Sequence, residues 1–345
     1  MKTVAWGVLG SGGIARRRTI PEGILPARNA KLLAVCDVNA QANAEVAKQF
    51  KAQAADSLDA LLDAGVDAVY IATPANLHYQ QALRCCKAGK HVFCEKPLGM
   101  TVREANAMVA AFKRAQLQLG VGFMMRFQSQ HQAALQLIRD GRLGKPVYGR
   151  AQLSCWYPPI PGAWRQDPKQ GGGGSLMDMG GHTIDLLEMF FGDVTKVSCA
   201  INSTVHKYKA EDSATAILTF ASGALATVDT FFCIPDVASL NVLELYGSKG
   251  SILAKGTIGQ GVAGEMTAYL EKGDAGYSAK QARSKAGGMP MTPKPVNTYK
   301  AEIEEFSQAI LGRREPVNNA QIGLHSQKVL DACYRSARTG KAVKV

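Results

Sequence analysis

Residues 4–15 read VAWGVLGSGGIA. A continuous apolar run ends in glycine, and small residues then recur as G-x-G-x-x-A at Gly10, Gly12 and Ala15. Gly10 permits a tight turn, Gly12 lets a pyrophosphate approach the backbone, and Ala15 allows close helix–strand packing. The helix that follows offers free N–H groups and a positive dipole end to phosphates. A second apolar run, KLLAVCD at 31–37, ends in Asp37. An acid there accepts hydrogen bonds from the adenosine ribose hydroxyls and repels a 2′-phosphate. The spacing therefore predicts a dinucleotide site with Gly10, Gly12, Gly13, Ile14 and Asp37 on the cofactor, NAD favoured and NADP possible. Arg16, Arg17 and Arg18 are read as solvated on the first helix; the alternative is that one of them reaches a phosphate.

The same alternation continues to about residue 123. Apolar runs at VDAVYIATP, KHVFCEKP and LQLGVGF are separated by helical patterns at 41–50, 57–65, 76–89 and 101–116. Thr101 followed by Glu104 is a capping box. Strands apolar on both faces and spaced by helices predict a parallel sheet covered on both sides. After about residue 145 the pattern changes. Strand follows strand from 194 to 272, residues 273–296 read as a loop, and two helices are expected near 299–312 and 320–339. The expectation is an α/β plus α+β chain. Residues 1–125 form a doubly wound Rossmann domain, and residues 126–345 form a substrate-binding and oligomerisation domain with a large, mostly antiparallel or mixed sheet covered by helices on one face.

Composition narrows the function classes. Apolar residues make up 46% and charged residues 20% of 345, as in an ordinary soluble globular protein. No apolar run is long enough to span a bilayer, and the opening residues read as a buried strand rather than a signal peptide. The eight cysteines show no C-x-x-C spacing and lie mostly in apolar runs, which points to a reducing, cytoplasmic setting and to no metal site. The net charge of +12 is scattered, with no legible nucleic-acid module.

Two further stretches carry chemistry. In HVFCEKPLGMT a predicted strand ends at Glu95-Lys96-Pro97. Ligands in doubly wound sheets sit at the carboxyl ends of strands, so Lys96 is aimed at the cofactor's reactive end; the plainer reading is a surface lysine at a turn. In GGGGSLMDMGGHTID, residues 171–185, Asp178 and His182 stand at i and i+4 and share a helix face. Asp185 follows about one turn on. The glycines would let the backbone pass close to another body, expected to be the nicotinamide or the substrate. The plainer reading here is a helix cap and a core histidine.

Together these stretches resemble the glucose–fructose oxidoreductase / inositol dehydrogenase (Gfo/Idh/MocA) family over almost the full length. The resemblance rests on GSGGIA, AVCD, ATPANLHYQQALRCCKAGKHVFCEKPLGMT, VGFMMRF, WRQDPKQGGGGSLMDMGGHTIDLL and VLDACYRSARTGKAV. It implies that Lys96 binds the reacting hydroxyl, that the Lys96–Pro97 bond is cis, and that Asp178 and His182 are the catalytic pair. It also implies that Thr73, Pro74, Asn76, His78, Glu95, Lys96, Trp164 and Arg165 serve the cofactor. Met124 and Met125 stand where many relatives carry a polar residue. The implied activity is hydride transfer between NAD(P) and a secondary alcohol or ketone of a sugar, polyol or sugar derivative. Lys96, Arg126, Tyr157, Asp178 and His182 would meet the substrate, with Trp156 and Trp164 as neighbours.

With a pKa near about 6.5, His182 suits general acid–base work. Three rivals stay open at this stage: a glycoside-cleaving enzyme that recycles its hydride internally, a non-catalytic sugar or dinucleotide sensor, and a reductase of a cyclic diketone or unsaturated tetrapyrrole. Apolar strands such as ALATVDTFF would leave an open sheet face, which together with the resemblance implies a homodimer or homotetramer through that sheet.

Overall fold

The computed structural model describes residues 2–271, 273, 279 and 287–345. The first 123 residues form a six-stranded, wholly parallel sheet in the order β3-β2-β1-β4-β5-β6. The strands are β1 (Val4–Leu9), β2 (Ala30–Cys36), β3 (Gln53–Ala55), β4 (Ala68–Ile71), β5 (His91–Cys94) and β6 (Leu119–Val121). The order reverses between β1 and β4, and that switch point opens the ligand crevice.

A wide π-type helix, Ala15–Ile24, follows the glycine turn. The helices α1 (Ala40–Phe50), α2 (Leu58–Asp63), α3 (Ala75–Lys87) and α4 (Val102–Ala115) complete the wrapping. Their starts are set by local chemistry. Asn39, Ser57 and Thr101 each accept a backbone N–H from the first turn of the helix that follows, which satisfies donors that the helix itself leaves free.

The second sheet has nine strands in the order β14-β13-β12-β11-β7-β10-β9-β8-β15. They are β7 (Pro146–Ser154), β8 (Val194–Asn202), β9 (Ser213–Phe220), β10 (Leu225–Phe231), β11 (Val242–Gly247), β12 (Gly250–Lys255), β13 (Glu265–Leu270), β14 (Met289–Pro290) and β15 (Val343–Lys344). Among the described residues only the β7–β10 pair is parallel, so the sheet is mixed. Helix α5 (Ser129–Arg139) leads into it, and a short α6 (Pro168–Gly171) precedes α7 (Gly181–Phe191). Helix α7 packs on β7 and β10, and α9 (Ala320–Thr339) packs on β8. Along β10 the alternation is strict: Ala226, Val228 and Thr230 are buried, while Leu225, Thr227, Asp229 and Phe231 face the other way and are less covered. That is the signature of a sheet with helices on one side.

Helix α8 (Thr298–Gly312) returns to cover the first sheet. Phe306 packs edge-on against Phe93 and tilted against Trp6, and Trp6 Nε1 donates to Ser307 Oγ at 3.1 Å. Each such aromatic, fully buried, is worth about 1.5–3 kcal/mol. Part of the 273–296 loop expectation, residues 274–278 and 280–286, lies outside the described residues. Beyond it, Met289–Pro290 is not loop but pairs with β13.

Candidate active site

Strand β4 delivers Thr73 and β5 delivers Glu95 and Lys96, with a cis bond at Lys96–Pro97. Residues Leu176–Gly180, another wide helical stretch running into α7, carry Asp178, and His182 sits in the first turn of α7. These groups line one cleft of ≈ 560 Å³ between the two sheets. Lys96 Nζ donates to the Asp178 carbonyl at 2.5 Å and to its Oδ1 at 2.7 Å. Arg165 Nε donates to the same Oδ1 at 3.0 Å, and its guanidinium lies 4.2 Å from the centroid of the Trp164 ring. Burial alone would raise the Asp178 pKa. Arg165 and Lys96 outweigh it and hold the carboxyl well below the usual range.

His182 lines the cleft, edge-on to Phe123, and its buried Nδ1 has no hydrogen-bond partner. Burial, then Lys96, push its pKa down to about 3 against the pull of Asp178. The expectation of an ordinary value near 6.5 is corrected: the buried ring is neutral at working pH and only weakly basic. Beside Lys96, Glu95 is half-buried, lines the same cleft and accepts from the Tyr70 hydroxyl, which is also met by Thr19 Oγ1 at 3.0 Å. Burial raises the Glu95 pKa despite Tyr70 and Lys96.

The dinucleotide turn is built for close approach. Gly10 has φ +82°, and a Cβ there would lie 2.8 Å from the Ala72 and Thr73 backbone. At Gly13 a Cβ would meet nothing within 4 Å, so the cradle is open. Asp37 accepts the Gly12 N–H at 3.0 Å through Oδ2 and the Asn39 N–H at 3.0 Å through Oδ1, which fixes a carboxylate at the end of β2. Ile14 and Arg17 line the main cleft. Of the three arginines, Arg16 pairs with Glu45 and Arg18 with Glu22, whereas Arg17 Nε bonds Gly13 O at 3.2 Å. Open cradle, free helix N–H groups and a ribose-side carboxylate fit a nicotinamide dinucleotide.

Not every expected residue reaches the cleft. Arg126 is held bidentate by Asp185, at 2.8 and 2.9 Å from Nε, and both side chains are largely buried. Arg126 therefore serves α7 rather than lining the cavity, and Asp185 faces it rather than Lys96. Burial raises the Asp185 pKa to about 6 against the pull of Arg126. Trp156 stacks edge-on to His206 and is 43% exposed, outside the cleft. Asn76 is exposed on the first turn of α3, and Pro74 is that helix's N-terminal flank; neither lines the cavity. His78 sits with Nδ1 2.8 Å from Pro97 O and Nε2 2.9 Å from Thr73 O. Burial lowers its pKa, so the ring is neutral and donates to one of the two, tying the Thr73 loop to the cis-proline loop.

Tyr157, Trp164, Met124 and Met125 do line the cleft. So do Cys155, Phe232, Asp236, Ser239 and Asn241, which the motif reading did not reach. Asn241 is one of four non-glycine residues at positive φ among the described residues, here +46°. Its Oδ1 accepts from Ser154 N and Ser239 Oγ at 2.9 Å. An asparagine tolerates that backbone, and its amide nitrogen is left for another partner.

Two family models match the chain. One, described as an oxidoreductase family with an NAD-binding Rossmann fold, covers residues 4–123, and the other, a GFO/IDH/MocA C-terminal domain, covers residues 131–253. The chain is 29% identical to a 1,5-anhydro-D-fructose reductase of Ensifer adhaerens, over 99% of this chain and 98% of that one. It is 30% identical to a myo-inositol 2-dehydrogenase of Thermotoga maritima, over 72% and 74% of the two chains. Among solved structures, an aldose-aldose oxidoreductase from Caulobacter crescentus complexed with glycerol superposes with a TM-score of 0.88 at 28% identity, covering 100% of both chains.

Proposed function

The chain belongs to the Gfo/Idh/MocA family of oxidoreductases, and from that premise we propose that it moves a hydride between NAD(P) and a secondary alcohol or ketone of a sugar, polyol or sugar derivative. One observation carries the reading. Lys96, Asp178, Arg165 and neutral His182 converge in a single cleft beside the dinucleotide turn. Gly10, Gly12, Gly13, Ile14 and Asp37 hold the adenosine and pyrophosphate side, and Thr73, Glu95, Trp164 and Arg165 border the nicotinamide side. The bound nicotinamide supplies the two-electron hydride acceptor or donor.

The residues of this chain do the remainder. In the oxidation direction His182 takes the hydroxyl proton while the carbinol hydrogen leaves as hydride and the C–O bond becomes a carbonyl, with the Lys96 ammonium lowering the hydroxyl's pKa to offset the weak basicity of the buried ring. Lys96 steadies the developing alkoxide from a site where water is largely excluded. Asp178 cannot itself be the base, because two cations hold its proton off. It orients Lys96 and is locked in turn by Arg165. A carboxylate, a hydroxyl and an amide at Asp236, Ser239 and Asn241 line the same cleft as Lys96 and suit a hydroxyl-rich, uncharged substrate, with Tyr157 and Phe232 offering apolar faces.

The open face of the second sheet supports a homodimer or homotetramer: Ile217 and Leu225 stand about half exposed beside the Arg150–Asp229 pair. A division near residue 125 into a cofactor unit and a substrate unit belongs to the same proposal. So does a cytoplasmic setting, which the eight free thiols support. No described helix is long and apolar enough to cross a membrane. Steady-state appearance of reduced nicotinamide with a panel of sugars, inositols and anhydrosugars tests the reading. Dinucleotide binding without any turnover or label exchange would replace it with a sensor.

A further inference from the structure

Residues 171–174 are four glycines, and the body against which they pack is neither cofactor nor substrate. A Cβ on Gly173 would fall 1.9 Å from the Tyr334 hydroxyl oxygen, and one on Gly174 would fall 1.9 Å from the Glu211 carbonyl oxygen. The close approach that glycine allows is therefore made to the protein itself, which corrects the expectation drawn from the sequence.

At this contact the Glu211 carboxylate accepts the Gly174 N–H at 2.9 Å through each oxygen, and Oε1 also accepts the Leu176 N–H at 3.1 Å. The Tyr334 hydroxyl, from α9, donates to Oε1 at 2.8 Å. The Glu211 carbonyl accepts the Ser175 N–H at 3.0 Å. Ser175 makes no side-chain cap of its own; its hydroxyl donates to Thr230 O at 3.1 Å instead. The helical stretch that bears Asp178 is thus capped by a carboxylate from the β8–β9 connection. Charge-assisted bonds at a helix N-terminus are the strong kind.

That connection is itself held. Asp212 accepts the N–H groups of Thr204, Val205 and His206 at 2.8–2.9 Å. The next link is direct: the Asp178 N–H donates to Gly174 O at 3.0 Å. A fixed loop, a buried carboxylate, one glycine and Asp178 form a continuous chain of hydrogen bonds that ends on Lys96.

We propose that Glu211, braced by Tyr334, is a positioning residue that sets where Asp178, and through it Lys96 Nζ, stands in the cleft. The inference rests on the reading of Lys96 and Asp178 given above. Misplacement of about 1 Å far from the chemistry can cost on the order of 10²-fold in rate. Glu211→Ala is therefore expected to lower kcat about 100-fold and Glu211→Gln about tenfold, because the amide keeps one acceptor but loses the charge. Tyr334→Phe, which removes one bond and fills the same space, is expected to lower kcat roughly threefold to tenfold. NAD affinity, read by direct calorimetry, should stay within twofold of wild type in all three.

The decisive comparison adds Lys96→Met. If Glu211 acts through Asp178 on Lys96, Glu211→Gln should lower kcat no further in the Lys96→Met background, since the Asp178 backbone that carries the link ends on Lys96 Nζ. Multiplicative losses would overturn the proposal, as would an unchanged kcat in both Glu211→Gln and Tyr334→Phe. If Glu211→Ala does not fold, these two milder variants still decide the matter. Failure of the underlying reading shows separately, as a Lys96→Met enzyme that keeps its turnover.

Discussion

Lys96→Met removes the one ammonium that lines the cleft among the described residues while keeping most of its volume. Lys96 is only 9% exposed and spends two donors on Asp178, at 2.5 and 2.7 Å, which leaves its third N–H for a substrate oxygen. Removing a single preorganised donor from an oxyanion site costs about 10²–10³ in kcat, or ~2.7–4 kcal/mol. The loss should sit at the high end here, because Asp178 then faces the substrate with Arg165 as its only remaining cation. Stopped-flow and steady-state absorbance of reduced nicotinamide would give kcat, and calorimetric titration would give the NAD affinity. The expected result is at least a 100-fold fall in kcat with NAD binding within twofold. A variant keeping more than about a tenth of wild-type kcat, under ~1.4 kcal/mol of barrier, would refute the reasoning.

Other outcomes follow from the same geometry. Arg126→Ala should act on stability rather than on KM: it leaves Asp185 buried and unpaired, a loss of about 3–5 kcal/mol readable in urea midpoints, whereas a large KM effect at unchanged stability would restore Arg126 to the substrate. Asp37→Ser should raise the NADP-to-NAD ratio of kcat/KM about tenfold, roughly 1.4 kcal/mol, and an unmoved ratio would show that Asp37 does not face the ribose. Stability should fall with acid earlier than carboxylates alone require. His131, enclosed against Phe190, has its pKa pushed by burial down to about 4. The unfolded chain therefore binds more protons below pH 6.5, and stability is lost as pH drops from there toward 4, by roughly 2–3 kcal/mol from this group. His131→Asn should flatten that slope in urea titrations at pH 7 and 4.5, and an identical slope would remove His131 from the account.

The legible parts of the chain were those whose causes are local. The turn at Gly10, the strand-ending Lys96-Pro97 and the i, i+4 pair Asp178 and His182 are each specified within a few residues, and the first sheet follows from runs apolar on both faces. What stayed hidden was long-range or locally weak. Helix α5 is capped by Gln128, whose side chain accepts the His131 N–H at 2.9 Å, an unusual cap that no start signal anticipates. Strand β3 is three residues long at a sheet edge. Arg126 looked available because its partner lies 59 positions away. Asp236, Ser239 and Asn241 carry no motif, and only the positive φ of Asn241 marks that wall once the backbone is known. The four glycines looked like room for a ligand because Glu211 and Tyr334, which fill that room, are remote in sequence.

The central claim is that a hydride leaves the substrate and departs on the cofactor. It is tested most directly by supplying a sugar or polyol deuterated at the reacting carbon, with NAD or NADP, and following the label by NMR. The account predicts one deuterium at nicotinamide C4 for each ketone formed. Label that returns to the sugar with no net reduced cofactor would contradict it, and would place this chain among enzymes that borrow a hydride and give it back.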